Sequence, residues 1–193
     1  ASRLQGIVKG GSVRRFYRLL AEDGSSLGIL MEYSREKEEN NFYVAIGEFL
    51  DGLGIPVPRI LFHDAEEGLA WLEDFGSVDL VHFRDEAWED LKPKYESVID
   101  AILPLWRDGM GKLEEFPDLP MMDGFGSRLY AWERDYFFDQ CLKRMNPDLG
   151  EAERESLHAE MSEAEDLLLA QPVTLVHRDF QSHNIMIREA GPG

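Results

Sequence analysis

Cysteine is almost absent. Cys141 is the only one in 193 residues, which excludes an internal disulfide and any multi-cysteine metal site and fits a reducing cytoplasm. Basic charge is scarce as well, with 20 Lys and Arg against 38 Asp and Glu for a formal net charge of −18. Nucleic acid is therefore not an expected partner, because binding it runs on excess Lys and Arg against phosphates. An anionic membrane surface is disfavoured for the same reason. No apolar run approaches the ~18 residues a membrane-spanning helix needs. The opening Ala1-Ser2-Arg3-Leu4-Gln5 lacks the apolar centre of a signal peptide. Internal repeats and low-complexity tracts are missing too. What is present is 44% apolar and 30% charged residues, the balance of a soluble globular protein of one or two domains. The acidity is compatible with a neutral or cationic small substrate without naming one.

The first 76 residues read as strands around one helix. Leu4 to Lys9 is a strand candidate, followed by a Gly10-Gly11-Ser12 turn. Phe16 to Leu20 and Leu27 to Tyr33 form a hairpin closed by Asp23-Gly24-Ser25. Phe42, Ala45, Ile46, Phe49, Leu50 and Leu53 recur at helical spacing, predicting a helix over 38–53. Gly54 and Pro56 end it. Val57 to Phe62 and Leu69 to Leu72 complete the strands. Beyond about residue 85 the pattern turns helical. Glu86 to Asp108 is amphipathic, with Pro93 and Pro104 as points of breakage or kinking. Glu114 to Ser127 reads as a loop. Leu129 to Met145 is an aromatic helix in which Tyr130, Trp132, Tyr136, Phe137 and Phe138 are assigned to the core. Glu151 to Ala170 is a helix with an acidic exposed side, and Val173 to Val176 is a short apolar strand. The composition shift divides the chain into a strand-rich lobe, 1–76, and a helical lobe, 77–193.

One stretch carries chemistry. Leu175-Val176-His177-Arg178-Asp179-Phe180-Gln181-Ser182-His183-Asn184-Ile185-Met186 has the form apolar run, His-Arg-Asp, four residues, Asn, apolar run. An aspartate at the mouth of a tight loop can accept a proton from a substrate hydroxyl. An amide oxygen five residues later can turn back to hold magnesium on nucleotide phosphates. The combination at fixed offsets between two apolar runs seldom arises by chance.

This stretch resembles the catalytic loop of the protein-kinase-like superfamily, and within it the aminoglycoside phosphotransferase family. The wording of Phe180 to Asn184 is most similar to a branch of sugar kinases acting on N-acetylmuramate and N-acetylglucosamine at the anomeric hydroxyl. The resemblance implies a two-lobe α+β fold, with a small strand-rich N-lobe and a mainly helical C-lobe. It also implies an ATP-dependent kinase acting on a small-molecule hydroxyl in the cytoplasm, with ATP and Mg2+ as cofactors. Asp179 would be the catalytic base and Asn184 a magnesium ligand. Lys9 to Arg18 is similar to the nucleotide-covering hairpin, so Gly10, Gly11 and Ser12 would meet phosphate through backbone N–H and hydroxyl groups. Glu39 opens the helix whose glutamate faces the nucleotide. Ile55 to Ile60 matches the link from helix to strand. Gly68 to Gly76 resembles the strand leading to the hinge, where adenine would bond backbone near Glu73 and Phe75.

Departures accompany the match. Asp74-Phe75-Gly76 spells a kinase metal-binding triplet but precedes the His-Arg-Asp loop by about a hundred residues, so it is read as hinge. The family's second metal aspartate would follow Ile187, yet no Asp follows Asp179, and the chain is expected to be truncated at its C-terminus. The third strand, Ile29 to Tyr33, has no Lys to hold phosphates; Lys9, Arg14, Arg15 and Arg18 are the candidate replacements, with Arg14 preferred. A nucleotide-binding pseudokinase and an aminoglycoside or choline-type kinase stay open as alternatives. A zinc hydrolase built on His177, Asp179 and His183 is a third. His177 is expected to shape the loop rather than react.

Overall fold

The computed structural model describes residues 2–7 and 14–188. Gly10, Gly11, Ser12 and Lys9, expected over the nucleotide, lie outside the described residues. By contact the chain falls into two compact units, one of residues 1–121 with 174–193 and one of 122–173. The lobe boundary expected at residue 76 lies inside the first.

The first unit is built on a five-stranded sheet of β1 (Arg3–Ile7), β2 (Arg15–Leu20), β3 (Ser26–Glu32), β4 (Ile60–Asp64) and β5 (Leu69–Leu72). The spatial order is β1-β2-β3-β5-β4, every neighbouring pair antiparallel. Asp23 closes the β2–β3 turn by accepting the Ser25 N–H at 2.9 Å, and Gly24 supplies φ +84°. Strand periodicity places Met31, Ala70 and Leu72 on one face, where with Tyr33 they form a buried cluster. Phe16, Ile29 and Ile60 extend it, and Tyr43 and Val44 cover it from the helix above. This packed face fixes the sheet against the helix.

The helix expected over 38–53 is two segments, α1 (Glu38–Asn41) and α2 (Tyr43–Gly52), joined at Phe42. Just before the break, Asn40 and Asn41 send their side-chain amides back to the carbonyls of Ser34 and Arg35, ahead of the helix. The strand expected over 57–62 starts only at Ile60, since Pro56 and Pro58 cannot donate to a ladder. A second cluster joins Phe49 and Ile55 to Ile102 and Leu105 of α3 (Trp88–Arg107), with Leu175 packed against it. Pro93 and Pro104 lie inside α3 without ending it. The short α4 (Gly109–Lys112) follows; a Cβ at Gly109 would stand 2.8 Å from Leu175, so the glycine admits that side chain.

The expected strand Val173–Val176 is not one. It pairs with no strand among the described residues, and Val173 and Val176 are exposed while Leu175 alone is drawn into the second cluster. One inward side chain without a partner backbone gives an anchored loop, not a strand.

The second unit holds α5 (Ser127–Tyr136), a π-helical turn (Phe137–Leu142), α6 (Lys143–Met145) and α7 (Glu151–Leu169). Its aromatic set is not the core that periodicity suggested. Phe138 is buried, stacked 4.0 Å from His158, whereas Trp132 and Tyr136 are exposed and stack on each other at 5.3 Å. A half-buried Arg134–Glu165 pair at 2.9 Å ties α5 to α7. The antiparallel sheet followed by a mainly helical part is the α+β arrangement that the sequence implied. No described helix is long and apolar enough to cross a membrane.

Candidate active site

The loop after Leu175 turns sharply. The Asp179 N–H reaches back to the His177 carbonyl at 2.9 Å, closing a three-residue turn centred on Arg178. Arg178 has φ +68°, the only positive φ at a non-glycine among the described residues. Such a conformation is uncommon for a side chain with a Cβ and marks a position where surrounding structure over-determines the backbone. The turn projects Asp179. A second tight turn over Ser182–Asn184 then brings Asn184 back toward it.

The two residues meet. Asn184 Nδ2 donates to Asp179 Oδ2 at 2.7 Å and to the Asp179 carbonyl at 3.1 Å. Gln181 Nε2 donates to Oδ1 at 2.7 Å, so both carboxylate oxygens are held and the group is oriented. The ring of His177 lies edge-on to Phe180 at 5.4 Å. Half-burial pushes the His177 pKa down, the Asp179 charge opposing it, so the ring favours the neutral form near neutral pH.

The loop is tied to the stretch after β5 by backbone. Leu80 N–H donates to the Ile185 carbonyl and Ile187 N–H to that of Val78, each at 2.9 Å, around an antiparallel bridge of Asp79 with Met186. Asp79 adds side-chain ties, lying 2.7 Å from His82 Nδ1 and 3.5 Å from His183 Nδ1. Partial burial works against its ionisation, but hydrogen bonds from the two histidines outweigh it and its pKa lies below the ordinary value. Arg188 reaches Glu73 at 3.1 Å and lies 4.4 Å over the Phe75 ring. Arg59 holds the other Glu73 oxygen at 2.9 Å. The expected hinge, Glu73 to Phe75, and the expected catalytic loop are thus one connected structure.

Asp74 has a different occupation. Arg18 donates to it through Nε at 2.6 Å and through a terminal nitrogen at 3.1 Å, Ser26 Oγ adds a further bond, and the Gly76 N–H donates at 2.8 Å. Partial burial opposes ionisation, yet these donors hold its pKa below the usual range. A carboxylate so engaged braces the hinge. The same pairing holds the Arg18 guanidinium at the hinge. Arg15 is drawn to Glu32 at 3.5 Å. Arg14 donates through Nε to Asn40 at 2.8 Å and stands 5.2 Å over the Tyr43 ring. Glu39, expected to face the nucleotide, has an exposed side chain and contributes its carbonyl to Arg14 at 3.5 Å; its neighbour Asn40 is the buried one.

Several contributors escaped sequence reading. Gln181 was only a spacer within the motif. Asp79 and Arg188 act across long sequence separations. Asn40 stands beside Glu39 with no motif of its own, although paired asparagines at a helix start are a signal for side-chain to backbone bonding.

The donor set also tests the metal readings. Asn184 spends its Nδ2 on Asp179, and its Oδ1 is the hard oxygen of the type magnesium takes; that ion is commonly held by one or two protein groups plus substrate phosphates. The residues fit such an ion. Zinc does not fit: no group of three His, Cys, Asp or Glu able to hold a metal exists among the described residues.

Sheet, helix and loop together define a kinase-like phosphotransferase framework, and comparison with known proteins agrees. The phosphotransferase enzyme family (APH) matches residues 3–193, and the chain belongs to that family. Among individual relatives it is similar to the N-acetylmuramate/N-acetylglucosamine kinase of Pseudomonas aeruginosa, 32% identical over 94% of this chain and 51% of the relative. The protein of the same name from Pseudomonas putida is 26% identical over 100% of this chain and 54% of its own length. That of Neisseria meningitidis serogroup B is 24% identical over 93% and 52%. The chain therefore spans about half the length of the curated relatives it matches.

Proposed function

We propose that the protein is an ATP- and Mg2+-dependent cytoplasmic kinase that phosphorylates a hydroxyl of an amino sugar of the N-acetylmuramate or N-acetylglucosamine kind. The observation that carries the reading is the 2.7 Å contact between Asn184 and the Asp179 carboxylate on a loop bonded backbone to backbone to the 78–80 stretch. In this reading residues 1–76 form the nucleotide-binding lobe and 77–193 the helical lobe with the catalytic loop. Asp179 orients the acceptor hydroxyl and takes its proton as the oxygen attacks the γ-phosphorus. Gln181 and Asn184 hold the carboxylate so that this oxygen–proton geometry is set before substrate arrives. Asn184 would hold magnesium through Oδ1; the ion supplies neutralisation of the nucleotide phosphates. Backbone near Glu73 and Phe75 would receive adenine, with Arg59 and Arg188 fixing Glu73. Gly10, Gly11 and Ser12 would cover the phosphates, Arg14 would supply positive charge, and Glu39 would stand at the nucleotide's edge.

The test is product formation. Protein incubated with Mg-ATP and a panel of N-acetylmuramate, N-acetylglucosamine, an aminoglycoside and choline is followed by 31P NMR. The expected result is ADP together with a new phosphate ester on one of the amino sugars. Transfer to the aminoglycoside or choline instead would keep the kinase and replace the substrate. A pseudokinase is favoured by one observation, that β3 carries buried Met31 and Arg15-paired Glu32 where a phosphate-holding Lys would stand. Binding of Mg-ATP with no transfer to any acceptor would select it.

A further inference from the structure

Building on the phosphotransferase reading above, we infer that Asp79 is a positioning residue: its segment grips the loop on both sides of Asn184 and so sets the amide that would hold magnesium. On the C-terminal side of Asn184 the grip is backbone. Leu80 N–H donates to the Ile185 carbonyl at 2.9 Å, beside the bridge of Asp79 with Met186. On the N-terminal side it is a side chain, with Asp79 Oδ2 3.5 Å from His183 Nδ1. One short segment, 79–80, therefore meets the loop at the residue before Asn184 and at the residue after it. Between these points the turn Ser182–Asn184 closes on itself, the Asn184 N–H donating to the Gln181 carbonyl at 2.8 Å. With its backbone so placed, Asn184 spends Nδ2 on Asp179 Oδ2 at 2.7 Å and offers Oδ1 as the oxygen for a metal.

The carboxylate divides its contacts by oxygen. Asp79 Oδ1 lies 2.7 Å from His82 Nδ1, a contact within the turn Leu80–Phe83 that Asp79 itself precedes. Oδ2 faces a residue of the catalytic loop instead. Stability explains that second contact poorly, because the His183 side chain is 69% exposed and ion pairs in such surroundings contribute little. Geometry explains it better. Groups behind a metal ligand fix its orientation, and a misplacement of about 1 Å can cost about a hundredfold in rate. A carboxylate can serve both imidazoles at once, whereas an amide in its place has one accepting oxygen.

Calorimetric affinity for a non-hydrolysable ATP analogue, with and without Mg2+, tests this beside kcat. The parent protein is expected to bind the analogue more tightly with Mg2+ than without. Asp79→Asn and His183→Ala are each expected to lose most of that gain and to lower kcat on the order of tenfold, with the magnesium-free affinity unchanged. His183→Ala alters an exposed side chain and serves if the Asp79 variant fails to fold. The double variant should be no worse than the worse single one, because the two residues act through one contact. His82→Ala removes only the contact within the turn and is expected to keep the gain. An undiminished gain in Asp79→Asn and His183→Ala, an equal loss in His82→Ala, or additive losses in the double variant would reduce Asp79 to a structural residue and overturn the inference. A parent that gains nothing from Mg2+ would overturn it as well, by removing Asn184 as a magnesium ligand. A parent that gains from Mg2+ but phosphorylates no acceptor would overturn the kinase reading alone, and the variants would still decide the inference by binding.

Discussion

His177 connects the loop's shape to pH. Burial lowers its pKa and the Asp179 charge opposes that, with the net shift downward. An unfolded histidine takes its proton near pH 6.5. Between that value and the lower folded value the unfolded chain therefore binds more protons, and stability rises with pH across the window. The protein is expected to lose thermal stability as pH drops below about 6.5, and His177→Gln to flatten that slope. Thermal midpoints of both proteins between neutral and mildly acidic pH check it; parallel slopes would show that another group controls the change. Arg178 is the other residue whose burden is conformational, since its φ of +68° is held by the turn from His177 to Asp179. Neither property is visible in the letters His-Arg-Asp. The spacing disclosed which side chains meet, and only the folded backbone discloses what orients them.

Among the elements, β3 carries the tightest constraint. Its pairing with β2 shifts between Leu19 and Leu20, leaving Leu27 as a bulge, and Gly28 beyond it has φ +135°. A Cβ there would stand 2.3 Å from Trp71 Nε1 and 2.7 Å from the Leu72 carbonyl. Gly28→Ala is expected to destabilise the protein by about 2–4 kcal/mol, combining backbone strain with overpacking. Gly6→Ala, with nothing within 4 Å of its added carbon, is expected to be close to neutral. Urea midpoints at constant slope measure both, and equal shifts would contradict the packing account. Strands and helices were legible where their signal was local. β5 and α7 stand within a residue of their expected bounds, because alternation and amphipathic spacing report directly on burial. The 38–53 helix was legible in length but not in its break at Phe42. Residues 173–176 read as a strand from apolarity alone, and apolarity says nothing of whether a partner backbone is beside them.

For the molecule as a whole, the sequence disclosed the class through one loop and its order relative to a glycine turn, a helix and a hinge. It did not disclose the ties that make these parts one site. Arg188 on Glu73, Asp79 beside His183 and Arg18 on Asp74 join residues 115, 104 and 56 positions apart. No periodicity encodes such pairs. The family assignment stands on a match across residues 3–193, and the chemistry proposed for it converges on the Asp179 carboxylate. The most direct measurement is turnover and Mg-ATP affinity of Asp179→Asn beside the parent protein, with the accepting sugar saturating. Loss of the proton acceptor is predicted to lower kcat by roughly 10² to 10⁴ while Mg-ATP affinity is retained. Turnover near that of the parent would contradict the account, since the residue held by Gln181 and Asn184 would then not be the base.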